Sequence, residues 1–257
     1  MIDVLILSLL TSIAVGISAG YLGSLMVLEK MALVGDALSH VALPGIALGI
    51  LYNFNPFIGA FAFLFVSAVL VWHLGRVTRL SFETIVGAMF TLSLAIGILL
   101  IPEPDLLEAL FGDINTVTLL DTATAIVLST VAVLATSVIY RNLVLGLISE
   151  DLAISKGINV ARTNLLYLLL VSVVVAIGIK ITGTLLVGFL VIVPAAAARN
   201  LSHALFRYSI LSAAFGLVSS VAGVLLSDYS GIRAGPLVVL SGIVVFIATV
   251  LIKWKTK

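Results

Sequence analysis

The chain has 257 residues, 62% of them hydrophobic and only 10% charged, with a net charge of +1 and no cysteine. A soluble globular domain is about half apolar and about a quarter charged, so the mean hydropathy of +1.33 excludes that class. The near-neutral balance leaves no basic surface for nucleic acid. The absence of cysteine removes disulfides and thiolate metal ligands.

Apolar runs near the length of a bilayer-crossing helix recur along the chain. An all-α polytopic membrane protein is therefore expected, as one transmembrane unit over 1–257. A transmembrane β-barrel would alternate polar and apolar residues in short segments, and that pattern is absent. Nine spans are predicted, at 4–28, 31–52, 56–75, 84–101, 122–140, 164–178, 183–200, 205–227 and 235–253. Eight result if one weak segment is re-entrant. The first run follows Met1-Ile2-Asp3 without a basic flank, so it reads as a retained span. Gly16, Gly20 and Gly23 within it predict close helix packing.

The second span carries VGDALSHVALPG, residues 34–45. Asp36 and His40 are four apart, so they share one helix face. Ionisable groups inside a span are costly and point to function. Counted from Lys30, His40 lies about 15 Å along the helix, near the midplane, with Asp36 about one turn inward. Pro44 cannot donate to the carbonyl four residues earlier, that of His40, so a kink is expected beside the imidazole. Small residues Gly35, Ser39, Gly45 and Gly49 let an ion or a helix approach. Three readings stay open here: a divalent metal site, a proton relay, or a buried Asp–His hydrogen bond. One Asp and one His are too few for a zinc or manganese site. A symmetric dimer would supply two of each.

His73, beside Trp72 and Arg76, reads as interfacial. His203, in NLSHALFR, reads as a surface residue. Met1, Met26, Met31 and Met89 show no spacing that would support a copper(I) path. The segment PEPDLLEALFGDINTVTLLD, 102–121, supplies most of an acidic outer face. Seven carboxylates are expected there, from Asp3, Glu103, Asp105, Glu108, Asp113, Asp121 and Asp228. It is either a solvated loop or a rim that concentrates cations.

The inside segment 141–164 is long enough for two short amphipathic helices. Within it, EDLAISKGI (150–158) has an acidic start, a small Ala153 and a Gly157 that can close a helix. Lys180, in the hairpin break GIKITGT, reads as a snorkelling residue or an outer gate contact. GTLLVGFLVIVPAAAA (183–198) combines Gly183, Gly188 and Pro194 in a thin, kinkable helix.

Basic residues set the orientation. Eleven of the 13 Lys and Arg residues fall on one side: Lys30, Arg76, Arg79, Arg141, Lys156, Arg162, Arg199, Arg207, Lys253, Lys255 and Lys257. Only Lys180 and Arg233 fall on the other. A cytoplasmic C-terminus and an outer N-terminus are expected. No nucleotide-binding G-x-x-x-x-G-K-[ST] signature exists, so the chain is expected to hydrolyse no nucleotide alone.

Three segments together resemble the permease subunits of zinc/manganese-type ABC transporters: EKMALVGDALSHVALPGIALG (29–49), EDLAISKGI (150–158) and GTLLVGFLVIVPAAAA (183–198). They occur in the family's order, and the resemblance covers essentially the full length. It implies a homodimeric, type II importer-like permease in the cell membrane. It further implies two cytoplasmic ATPase subunits, an extracytoplasmic metal-binding protein and alternating access. Asp36 and His40 fall on the family's metal-contacting positions. Glu150, Asp151, Ala153 and Gly157 fall on its ATPase-coupling segment. Pro44, Gly183, Gly188 and Pro194, by residue type alone, read as helix-kink or gating positions. The cargo would be zinc, manganese or iron, with no permanently bound cofactor. The competing expectation is a proton-coupled secondary transporter using Asp36 and His40 as a relay. That would call for a second charged site in a repeated half, and none is evident.

Overall fold

The computed structural model describes residues 4–29, 31–78, 80–113, 116–184, 187–202 and 204–255. Asp3, Lys30, Arg79 and Lys257, assigned above to one face or the other, and His203, read as a surface residue, lie outside these residues, as do the side chains of Glu103 and Glu108. The elements are helices α1 (Val4–Leu28), α2 (Ala32–Val41), α3 (Leu43–Leu51), α4 (Pro56–Val77), α5 (Phe82–Leu100) and α6 (Glu103–Phe111). They continue with α7 (Leu119–Ile148), α8 (Glu150–Ser155), α9 (Val160–Thr182), α10 (Val187–Leu201), α11 (Leu205–Ser230) and α12 (Ala234–Lys255). Among the described residues there is no strand. An all-helical answer follows from the solvent, since in lipid every backbone donor must be satisfied within its own segment.

Among the described residues, eight helical segments are long and apolar enough to cross a membrane, with α2 and α3 forming one of them. The ninth predicted span is the shorter α10, of 15 residues. Its sequence partner α9 absorbs Thr182, and non-helical backbone follows at Gly183 and Thr184. Such backbone is tolerated at membrane depth only when protein covers it. Here the Thr184 N–H donates to the Ala109 carbonyl of α6 at 2.9 Å.

Helix ends sort onto two faces. On the first, the Thr11 and Thr122 hydroxyls meet at 3.0 Å, and Arg233 donates to the Leu107 carbonyl at 3.1 Å. On the second, the Trp72 indole donates to the Ala161 carbonyl at 2.7 Å, and Asn200 donates to Thr249 at 3.2 Å. Among the described residues, Arg76, Arg141, Lys156, Arg162, Arg199, Arg207, Lys253 and Lys255 belong to the second face. Lys180 and Arg233 belong to the first, with Asp105, Asp113, Asp121 and Asp228.

Helix α1 is the hub, buried between α11, α7 and α10. Lipid tails are as apolar as leucine, so helices associate through close packing and hydrogen bonds instead. The sequence supplies both. Gly16 and Gly20 let the carbonyls of Gly216 and Ser212 come within reach of where a Cβ would stand. Ser220 donates to the Ser12 carbonyl at 2.8 Å and Ser24 meets Ser209 at 2.8 Å. The expected packing role of this glycine series holds. The opposite surfaces expose Val66, Leu99, Val138 and Val244, apolar faces that suit lipid or a partner helix.

Two local readings are revised. Helix α7 runs 30 residues to Ile148, because Leu143 stays buried beyond the polar Arg141-Asn142 pair. The 141–164 segment therefore holds one short separate helix, α8, and not two. Lys180 does not simply snorkel. It donates to Asp121 Oδ2 at 2.5 Å, both side chains being half-buried. Asp121 also closes a capping box with Thr118 at the start of α7.

Glu29 occupies the turn between α1 and α2 and is half-buried. Burial pushes its carboxyl up from 4.5 to about 7. The folded protein thus holds a proton that the unfolded chain has already released, and stability falls as pH rises between those values. Replacement by Gln removes the titration. A melting series between about pH 5 and about pH 8 should slope downward for the wild type and flatten for Glu29→Gln.

Candidate metal-translocation site

The α2–α3 segment is a span broken at Ala42. Pro44 sits at the second position of α3, where its missing N–H goes unneeded. The helix interruption thus falls two residues after His40 and two before Pro44. Ser39 donates to the Asp36 carbonyl at 2.6 Å, a local bond that helps bend such helices.

His40 is 5% exposed. Its ring meets Phe90 of α5 edge-on, with centroids 5.0 Å apart at 76°. Its Nδ1 has no hydrogen-bond partner among the described residues. A buried imidazole nitrogen left in that state is the opposite of what a structural Asp–His lock requires. Asp36 stands one turn earlier on the same face, half-buried.

Helix α10 closes the other side of Asp36. A Cβ on Gly188 would lie 2.4 Å from Asp36 Cα and 2.6 Å from its Oδ1. Only a glycine permits that approach. The sequence marked Gly188 for helix flexibility, whereas the geometry makes it the wall of the Asp36 site. Val191, one turn on, packs near Gly35 and near Gly23 of α1. Pro194 is buried within α10, where it removes one helix hydrogen bond. Gly183 adopts φ +76° against the Leu110 carbonyl.

No group of three or more His, Asp, Glu or Cys side chains that could hold a metal occurs among the described residues. Among the described residues, one chain thus offers Asp36 and His40 as candidate donors and no larger cluster. Toward the acidic face, a cavity of about 350 Å³ has Asp105, Asp113, Thr116 and Lys180 among its lining, with Ile46 and Ile50 on the α3 wall. Ile46 lies about 9 Å along the segment from His40. Two of the predicted acidic residues therefore flank a real recess, and Asp121 is engaged by Lys180.

The coupling candidates form one compact unit. Ser149 caps α8 by accepting from the Leu152 N–H at 3.2 Å. Glu150 and Asp151 are exposed, and Ala153 is fully buried. Gly157, at φ +77°, ends the helix. The Ile158 N–H reaches the Ala153 carbonyl and the Gly157 N–H reaches that of Ile154, the paired bonds of a Schellman turn. The exposed Leu152 and Ile154 project beside the two acids. His73 is exposed near Trp72, over which Arg76 stacks at 5.0 Å, as an interfacial position predicts.

Phe90 and the Lys180–Asp121 pair escaped sequence reading. Phe90 had no signal, being one of 12 phenylalanines. The ion pair had one, since an acid in the first turn of one helix and a base in the last turn of another share a face.

Known proteins with the same fold give these residues a context. The chain is similar to the manganese transport system membrane protein MntC of Listeria monocytogenes, 30% identical over 93% of this chain and 87% of that protein. It is similar to the high-affinity zinc uptake system membrane protein ZnuB of Haemophilus influenzae, 30% identical over 96% of this chain and 97% of that protein. Among solved structures, PsaBC from Streptococcus pneumoniae in complex with Fab superimposes with a TM-score of 0.83. Identity is 30%, covering 94% of this chain and 89% of the solved one. The profile of the ABC 3 transport family matches residues 1–253. By that full-length match the chain belongs to the ABC 3 transport family.

Proposed function

We propose that this chain is the permease subunit of an ATP-driven importer of divalent transition-metal ions, manganese or zinc first among them. The observation that carries the proposal is the intramembrane Asp36–His40 pair, with a buried imidazole nitrogen that no group among the described residues satisfies. A carboxylate and an imidazole are ligands for manganese, iron and zinc alike. The cargo binds transiently, since an ion that is to be released cannot meet a full cage.

A homodimer completes the ligand set, because two donors per chain leave the ion half-coordinated. The small exposed residues Thr84, Ala88, Thr91 and Ala95 along α5 support pairing through that helix, whose Phe90 also touches His40. ATP hydrolysis belongs to a separate cytoplasmic ATPase dimer, which α8 contacts through Glu150, Asp151 and the cap built on Ala153 and Gly157. An extracytoplasmic metal-binding protein delivers the ion to the acidic face. The eight described cations on the opposite face, against two on the acidic one, support a cytoplasmic C-terminus.

Reconstitution in liposomes with the ATPase and binding protein tests the reading. Manganese or zinc should stimulate ATP hydrolysis, and ion uptake should require ATP. Hydrolysis indifferent to manganese, zinc and iron would sink it. Uptake without the ATPase would restore the proton-driven alternative.

A further inference from the structure

An imidazole that binds a metal usually has two holds. One ring nitrogen takes the ion. The other donates its N–H to a carboxylate or a carbonyl, which fixes the tautomer and the direction of the ring. His40 lacks a hold of the second kind. Its Nδ1 is enclosed and makes no hydrogen bond among the described residues, so coordination falls to Nε2. Ser39, its neighbour in the chain, gives its own hydrogen to the Asp36 carbonyl at 2.6 Å. The direction of the ring must come from packing. What meets it is Phe90 of α5, edge-on, with centroids 5.0 Å apart at 76°. That geometry lies in the range where two rings attract each other beyond simple burial.

Phe90 is itself held. Val86, Phe90, Ser93 and Gly97 recur along one face of α5 at helical spacing. Val86 and Ser93 are buried. Gly97 makes room for Leu43 of α3, whose Cβ stands 2.5 Å from where a glycine Cβ would be. This face of α5 therefore packs against the broken span on both sides of its break, with His40 before it and Leu43 after it. Phe90 sits between the closed positions, half-buried, as a fixed platform for the imidazole.

The chemistry of the platform matters. A phenyl ring brings no charge and accepts no proton. It can fix the direction of an imidazole without raising its basicity, as a carboxylate partner would. Coordination left weak in this way suits an ion that must leave again.

We propose that Phe90 is a positioning residue of the ion site, its ring holding the His40 imidazole where a hydrogen-bonded partner would otherwise do so. The inference rests on the metal-transport reading above and deepens it. The same helix exposes the small residues Thr84, Ala88, Thr91 and Ala95. A shift of α5 at a dimer contact would move the platform and turn the ligand.

The test titrates the complete permease–ATPase complex in detergent with manganese. Free manganese is read by electron paramagnetic resonance, beside a melting scan. Phe90→Leu keeps apolar bulk and loses the ring. It should weaken manganese binding about three- to tenfold while melting close to the wild type. Phe90→Tyr keeps the ring and should bind within about twofold of the wild type. A packing role alone would move affinity only together with melting temperature. Wild-type affinity in Phe90→Leu overturns the proposal, and so does equal weakening in Phe90→Tyr. If Phe90→Leu melts low, Phe90→Met carries the decision on the same criterion. His40→Ala separates this inference from the reading beneath it. Binding lost in His40→Ala but unchanged in Phe90→Leu defeats the role of Phe90 alone. Wild-type binding in His40→Ala defeats the metal site, and the role of Phe90 with it.

Discussion

His40→Ala is expected to reduce manganese or zinc uptake by the reconstituted transporter at least about a hundredfold. The reasoning is comparative. Losing a group that merely orients a metal ligand already costs about 10–100-fold, and His40 is proposed as a ligand. Three readings of the residue predict different outcomes. A structural lock predicts a large fall in melting temperature, with activity following stability. The relay predicts uptake that depends on a proton gradient. The metal site predicts intact folding with transport lost, because the ring contributes packing against Phe90 but no hydrogen bond through Nδ1. Asp36→Asn preserves volume and removes the charge, so it should mimic His40→Ala in transport while melting close to the wild type. Uptake at wild-type rates in either variant would remove the pair from the ion's route.

Gly188→Leu is expected to damage both stability and transport. Even the first added carbon would fall 2.4 Å from Asp36 Cα, with backbone on the other side of the contact. Nothing flexible stands there to yield, so α2 and α10 must separate. Forcing extra carbons into such a contact costs about 1–3 kcal/mol, and the displaced element is the one that carries Asp36. Gly188→Ala should show the same effects in milder form. A kink or hinge role alone would spare the melting temperature, since leucine is a better helix former than glycine. Thermal melting beside ion uptake separates the two accounts.

Much of this architecture was open to sequence reasoning because lipid permits so few solutions. Each long apolar run had to be a helix, and the runs end at glycine, proline or charge. The Asp36–His40 pair was legible for the same reason: nothing polar is carried through a bilayer without a use. What stayed hidden depends on neighbours. The final turns of α7 look like a loop until Leu143 is found buried against other helices. Lys180 looks like a lone interfacial cation until folding brings Asp121, 59 positions away, against it. Gly188 was flagged by residue type, yet its role is defined by α2, which packing alone brings to it.

The short connection ahead of α10 has a mechanical meaning. The Thr184 N–H is tied to the carbonyl of Ala109, and Gly183 abuts that of Leu110. Within the first turn of α10, Gly188 touches Asp36. Helix α6, on the acidic face, is thus linked through these successive contacts to the Asp36 carboxylate. Anything that presses on α6 must either break the Thr184 bond or carry the head of α10 with it. The acidic face is therefore the handle of a lever whose other arm ends at the Asp36 carboxylate.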